Sequence, residues 1–123
     1  MTTFKQFLDE RQYNVRDDSM INEMANLGKR TTKLPCIVYI SDKKGVTHGA
    51  RIKVNSDYGD RWSGNSFTIT ISDNPVVIGN TYKIKQSDIE DIKDWVALNK
   101  NSLLKYWNEQ IDIAELLDEL KDI

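Results

Sequence analysis

One cysteine, one histidine and two prolines occur in this chain of 123 residues, and each scarcity removes a class of protein. A lone cysteine, Cys36, leaves no intramolecular disulfide and suits a reducing compartment, so a cytoplasmic location is expected. With His48 the sole imidazole, a zinc site of His and Cys ligands has only two donors and needs carboxylates to complete it. Long apolar runs are missing too. No window approaches the roughly 18 residues of a membrane span, so no membrane partner is expected. The opening Met1-Thr2-Thr3-Phe4-Lys5 has no basic patch ahead of an apolar stretch, which argues against a secretory signal. No glycine arrangement matches a P-loop or dinucleotide fingerprint, and no zinc-finger, helix-turn-helix or RNP-like motif is present.

What is present suits a single domain spanning 1–123. An apolar fraction of 39% and a charged fraction of 29% are ordinary for a globular chain able to bury one core. The formal net charge of −2 conceals a segregation. Residues 29–85 hold ten Lys/Arg against Asp42, Asp57, Asp60 and Asp73, a net +6. Residues 86–123 hold four Lys against ten acids, a net −6. Such asymmetry marks either a basic binding face or two parts of one fold that attract each other.

Periodicity predicts an α+β fold: two short N-terminal helices, an antiparallel sheet of about four strands, and a C-terminal segment of two to three helices. Thr3 and Gln6 can cap a first helix bearing Phe4, Phe7 and Leu8. Met20, Ile21, Met24 and Leu27 are spaced for one face of a second, with Gly28 placed as its C-cap. Residues 36–41 read as a strand and Asp42-Lys43-Lys44-Gly45 as a hairpin turn. The next strand alternates, with Val46, His48, Ala50, Ile52 and Val54 on one face and Arg51 and Lys53 on the other. Residues 66–72 repeat the pattern with Phe67, Ile69 and Ile71 inward, and 76–78 with 81–85 supply one or two more strands. Ser87 and Glu90 fit a capping box for a helix carrying Ile89, Ile92, Trp95 and Val96. Leu103, Leu104 and Trp107 mark another, and Asp112 with Glu115 opens a third.

Chemistry-bearing residues are few. Cys36 and His48 fall on adjacent expected strands, where a small buried thiol and a core or rim imidazole account for them better than a catalytic pair does. Asp88, Glu90, Asp91 and Asp94 cluster on a helix surface, where solvation argues against general acid–base work and the early acids complement the helix dipole. No catalytic residue, metal site or cofactor is therefore expected, and the chain is not read as an enzyme. Two binding features stand out. The loop 55–65 joins two strands and mixes Tyr58, Arg61 and Trp62 with glycine, residue types that dominate interaction hot spots. Alternatively Trp62 folds back over the sheet edge. The second feature is a basic sheet face of Arg51, Lys53, Lys83 and Lys85 interleaved with Thr68 and Thr70, able to neutralise phosphates. Against it, Tyr39, Phe67 and Tyr82 fall mostly on the apolar parity, which leaves that face without stacking aromatics.

The run Trp95-Val96-Ala97-Leu98-Asn99 to Leu103-Leu104-Lys105-Tyr106-Trp107, preceded by the strand segment Val46-Thr47-His48-Gly49-Ala50-Arg51-Ile52, resembles a family of small uncharacterised bacterial and phage α+β domains. In these a histidine-containing strand precedes a helix ending in Asn, followed by Leu and Trp at this spacing. The family shows more than one histidine there, whereas this chain has only His48. The resemblance implies the α+β fold and a bacterial or phage setting. The sequence thus favours a small non-enzymatic binding protein with a protein partner, and a phage-type inhibitor of a bacterial defence system fits its size and charge. A nucleic-acid-binding module is the alternative, and sequestration of a small anionic ligand by the loop is a third reading.

Overall fold

A computed structural model describes residues 24–41, 43 and 49–123. The expected helix at Phe4–Leu8, the positions of Met20 and Ile21, the hairpin turn apart from Lys43, and the strand positions Val46 to His48 lie outside those residues. The described chain is α+β, with a five-stranded antiparallel sheet in the order β1-β2-β3-β4-β5. Its strands are β1 (Met24–Leu27), β2 (Val38–Ser41), β3 (Arg51–Asn55), β4 (Ser66–Thr70) and β5 (Val77–Ile78). Helix α1 (Lys29–Thr32) follows β1, and α2 (Gln86–Leu98), α3 (Lys100–Trp107) and α4 (Ile113–Glu119) follow the sheet.

Alternation decides which face of the sheet is buried. Across the register, Ala25, Ile40, Ile52, Ile69 and Val77 form one inner row, and Leu27, Val38, Val54 and Phe67 the next. Ile89, Ile92, Trp95 and Val96 of α2, Leu103 of α3 and Leu116 of α4 join them in one core cluster. Full burial of such side chains contributes about 1.5–3 kcal/mol each relative to exposure. Trp95 is completely buried and Trp107 is 5% exposed, as their helical spacing leads one to expect. The Asn that closes the Trp95–Asn99 pattern has a structural task. Asn99 Nδ2 donates to the carbonyls of Trp95 at 3.0 Å and Lys121 at 2.9 Å, while its Oδ1 accepts the Lys121 N–H at 2.7 Å. Both the α2–α3 junction and the C-terminal tail are therefore held by one buried amide.

Four expectations are corrected. Met24 and Leu27 lie on a strand, not a helix, because β2 offers 24–27 a full antiparallel partner. Ala25 and Leu27, two apart, take the inner face in place of a helical stripe, so the tertiary partner decides. Gly28 accordingly stands at the N-cap of α1 rather than the C-cap of a helix. Residues 81–85 form a turn, not a strand. Tyr82 has φ 55°, its N–H donates to Asn80 Oδ1 at 2.7 Å, and only Ile84 of the stretch is buried. The Ser87–Glu90 capping box is absent. Helix α2 begins two residues earlier, with Lys85 as N-cap and no side-chain cap of its own, and Glu90 instead accepts from Gln86 Nε2 at 2.8 Å. The expected box at Asp112 and Glu115 is present in both directions. The fourth correction concerns Tyr39. Its β2 neighbours Val38 and Ile40 occupy the inner rows, so Tyr39 stands on the outer face.

Candidate functional site

Because strand side chains alternate, the register also defines the outer face, where Asn26, Tyr39, Lys53, Thr68 and Ile78 lie side by side across all five strands. Arg51 faces Thr70 one pleat further along β3. The loop 56–65 leaves the other end of β3 and is held in shape by Asn55, which is wholly buried. Asn55 Nδ2 donates to the Arg61 carbonyl at 2.9 Å, and its Oδ1 accepts the Ser63 N–H at 3.0 Å and the Ser63 hydroxyl at 2.9 Å. The Ser56 N–H donates to the Asn65 carbonyl at 3.1 Å and closes the loop base.

A second set of contacts ties the loop to neighbouring elements. Lys29 Nζ donates to the Tyr58 carbonyl and lies 3.6 Å from Asp60 Oδ1. Asp57 accepts the Gly59 N–H at 2.7 Å and pairs with Lys83 at 3.0 Å. The Gly59 N–H, with Lys83 next, holds the Asp57 carboxyl below its ordinary range. The Tyr58 hydroxyl donates to Asp88 Oδ2 at 2.7 Å and accepts the Lys85 N–H at 2.8 Å. Asp88 is the third residue of α2, where a capping-box carboxylate would reach the N-cap N–H directly; here the phenol relays that contact. Although the Lys85 N–H favours the phenolate, the Asp88 carboxylate and desolvation outweigh it, and the phenol sits above its ordinary pKa.

These contacts separate the three loop residues. Tyr58 is half-buried and its hydroxyl is committed to the start of α2, so it shapes the loop. Arg61 gives its carbonyl to Asn55 and leaves its side chain exposed. Trp62, 50% exposed, stands edge-on to Tyr39 with ring centroids 4.9 Å apart and planes at 87°. Burial pushes the Tyr39 phenol up to about 12. Trp62 therefore does fold back onto the sheet, on the outer face, and still presents half its surface.

The basic set is divided as well. Arg51 and Lys53 are on the outer face, whereas Lys83 and Lys85 lie in the turn before α2, with Lys83 held by Asp57. Asp57, Asp60 and Asp73, the described acids of 24–85, are taken by Lys83, Lys29 and Lys100. Arg51, Lys53 and Arg61 form no ion pair with any described residue. A depression of about 570 Å³ is lined by Asn26, Gly28, Lys29, Arg30, Ile37 and Asp60. Lys29 is committed to the loop and Asp60 opposes an anion there, which weakens the small-anion reading.

Cys36 is fully buried, and its thiol is pushed up to about 11, chiefly by desolvation and further by Asp88. It stays protonated near neutrality and is a poor nucleophile. His48 lies outside the described residues. Among the described residues, no group of three or more His, Cys, Asp or Glu side chains is placed to hold a metal ion, and no helix is long and apolar enough to cross a membrane.

Two residues of this surface were missed from sequence. Tyr39 was readable, since Cys36, Val38 and Ile40 form a consistent inward set that puts 39 outward. Asn55 carries no such signal, because a polar residue ending a strand is ordinary and its partners lie six and eight positions away. No family model, curated protein or solved structure matches the chain.

Proposed function

We propose that this chain is a non-enzymatic binding protein whose contact surface for a macromolecular partner is the outer sheet face around Trp62. The observation that carries the reading is a half-exposed Trp62 set against Tyr39 on a loop internally pinned by Asn55. A large aromatic held in one place loses little entropy on binding, which is why such residues anchor interfaces. Arg61 beside it and Lys53 across from Tyr39 add charge that no described acid neutralises. Inhibition of a bacterial defence component is one role such a protein would serve, and it adds no residue to this surface.

Affinity capture from the native cell, run beside thermal unfolding, tests the reading. Trp62→Ala and Arg61→Ala should lose the partner while shifting the Tm by no more than about 2 °C, as expected for surface substitutions. A variant that melts lower yet still captures its partner at low temperature would contradict it.

A further inference from the structure

We propose that the outer sheet face binds single-stranded nucleic acid, with Trp62 stacking on an unpaired base and Arg51, Lys53 and Arg61 meeting the phosphates. The inference rests on the reading that this face is the contact surface, and adds the chemical class of its ligand. A sheet that reads single strands combines exposed aromatic area with cations that follow the backbone. The first component is the Tyr39–Trp62 pair, with half of Trp62 open to solvent. The second is Lys53, the direct register partner of Tyr39, and Arg51 two residues along the same strand face. Two residues of strand advance about 6.6 Å, so the two cations meet successive charges of an extended ligand rather than one point charge.

Charge complementarity favours a polyanion. Each described acid of 24–85 is already neutralised by a lysine, so the cations on and beside this face are opposed by none of them. Along the same cross-strand row stand Asn26 and Thr68, an amide and a hydroxyl able to bond base edges without fixing a sequence. A five-stranded sheet face offers no helix or ribbon to enter a duplex groove, whereas an indole standing on it needs a base that is already unstacked.

Fluorescence anisotropy with labelled oligo(dT), oligo(U) and a duplex of matching length tests the proposal on the full chain. The single strands should bind at low salt and more tightly than the duplex. Trp62→Ala should weaken binding about 5- to 150-fold, the range expected for losing one stacked base, and Trp62→Phe should retain most of it. Lys53→Glu should weaken binding and reduce the slope of log affinity against log salt by about 0.7, whereas Lys121→Glu in the distant tail should leave that slope unchanged. Absence of binding at low salt, preference for the duplex, or affinity indifferent to Trp62→Ala would each overturn the proposal. The two readings fail differently. If no oligonucleotide binds but Trp62→Ala still abolishes capture of a protein partner, the surface stands and its ligand is protein. If Trp62→Ala changes neither measurement, the surface itself is wrong.

Discussion

Replacing Asn55 by alanine probes whether the loop is a built platform or a loose connection. The side chain is fully buried and makes three contacts of 2.9, 3.0 and 2.9 Å, to the Arg61 carbonyl, the Ser63 N–H and the Ser63 hydroxyl, and a longer fourth of 3.5 Å to the Asp57 carbonyl. A net hydrogen bond is worth about 0.5–1.5 kcal/mol, and groups that lose a buried partner cost more unless water reaches them. The loop is largely exposed beyond Asn55, so water can reach Arg61 and Ser63, and the loss should be about 2–3 kcal/mol. For a chain of this length that corresponds to a Tm lower by roughly 8–12 °C. Trp62 should lose its fixed place over Tyr39, and acrylamide should quench the emission of the three-tryptophan chain more strongly, because Trp95 and Trp107 remain buried. Thermal unfolding followed by circular dichroism gives the first number and quenching the second. An unchanged Tm together with unchanged quenching would refute the claim that Asn55 organises the loop.

Other consequences are open to direct measurement. Trp107→Ala should destabilise by about 3–5 kcal/mol, the usual cost of truncating a buried tryptophan, and an unaltered melting curve would contradict the helical packing. Tyr58→Phe should lower the Tm and speed amide exchange at the first residues of α2, because the Lys85 N–H and Asp88 lose the hydroxyl between them; equal exchange would remove the relay. The Tyr39 phenol, raised from 10.0 to about 12, contributes stability that is complete below the unfolded value. That contribution is lost as pH rises from about 10 through 12, since the unfolded chain gives up its proton first. Ultraviolet titration should find Tyr39 ionising late, with Tyr58 also above its ordinary value, and Trp62→Ala should bring the Tyr39 step down.

Much of the architecture was legible because burial imposes a period. Ile52 with Val54, and Phe67 with Ile69 and Ile71, alternate on strands whose other face is polar and less buried, and Ile89, Ile92 and Val96 recur on a helix packed from one side. The capping box at Asp112 and Glu115 was readable because both partners lie within one turn. Failures occurred where a distant partner made the decision. Residues 24–27 became a strand because β2 supplied the hydrogen bonds. Helix α2 started at Gln86 with a phenol from 27 positions upstream in place of Ser87. The candidate site was half legible for the same reason: loop composition pointed to Trp62 and Arg61, but nothing local said that Tyr58 would turn inward or that Tyr39 would stand beneath Trp62.

The central claim is that the outer face around Trp62 is where this protein meets its partner, and amide and indole chemical-shift mapping of the bound chain tests it most directly. Addition of the captured partner or of oligo(dT) should move the signals of Tyr39, Arg51, Lys53 and Arg61 and the Trp62 indole N–H, while Trp95 and Trp107 stay in place. The helical side carries a rival apolar surface in the exposed Leu98, Ile113 and Leu117. Shifts confined to those three residues, with the Trp62 indole unmoved at saturation, would contradict the account.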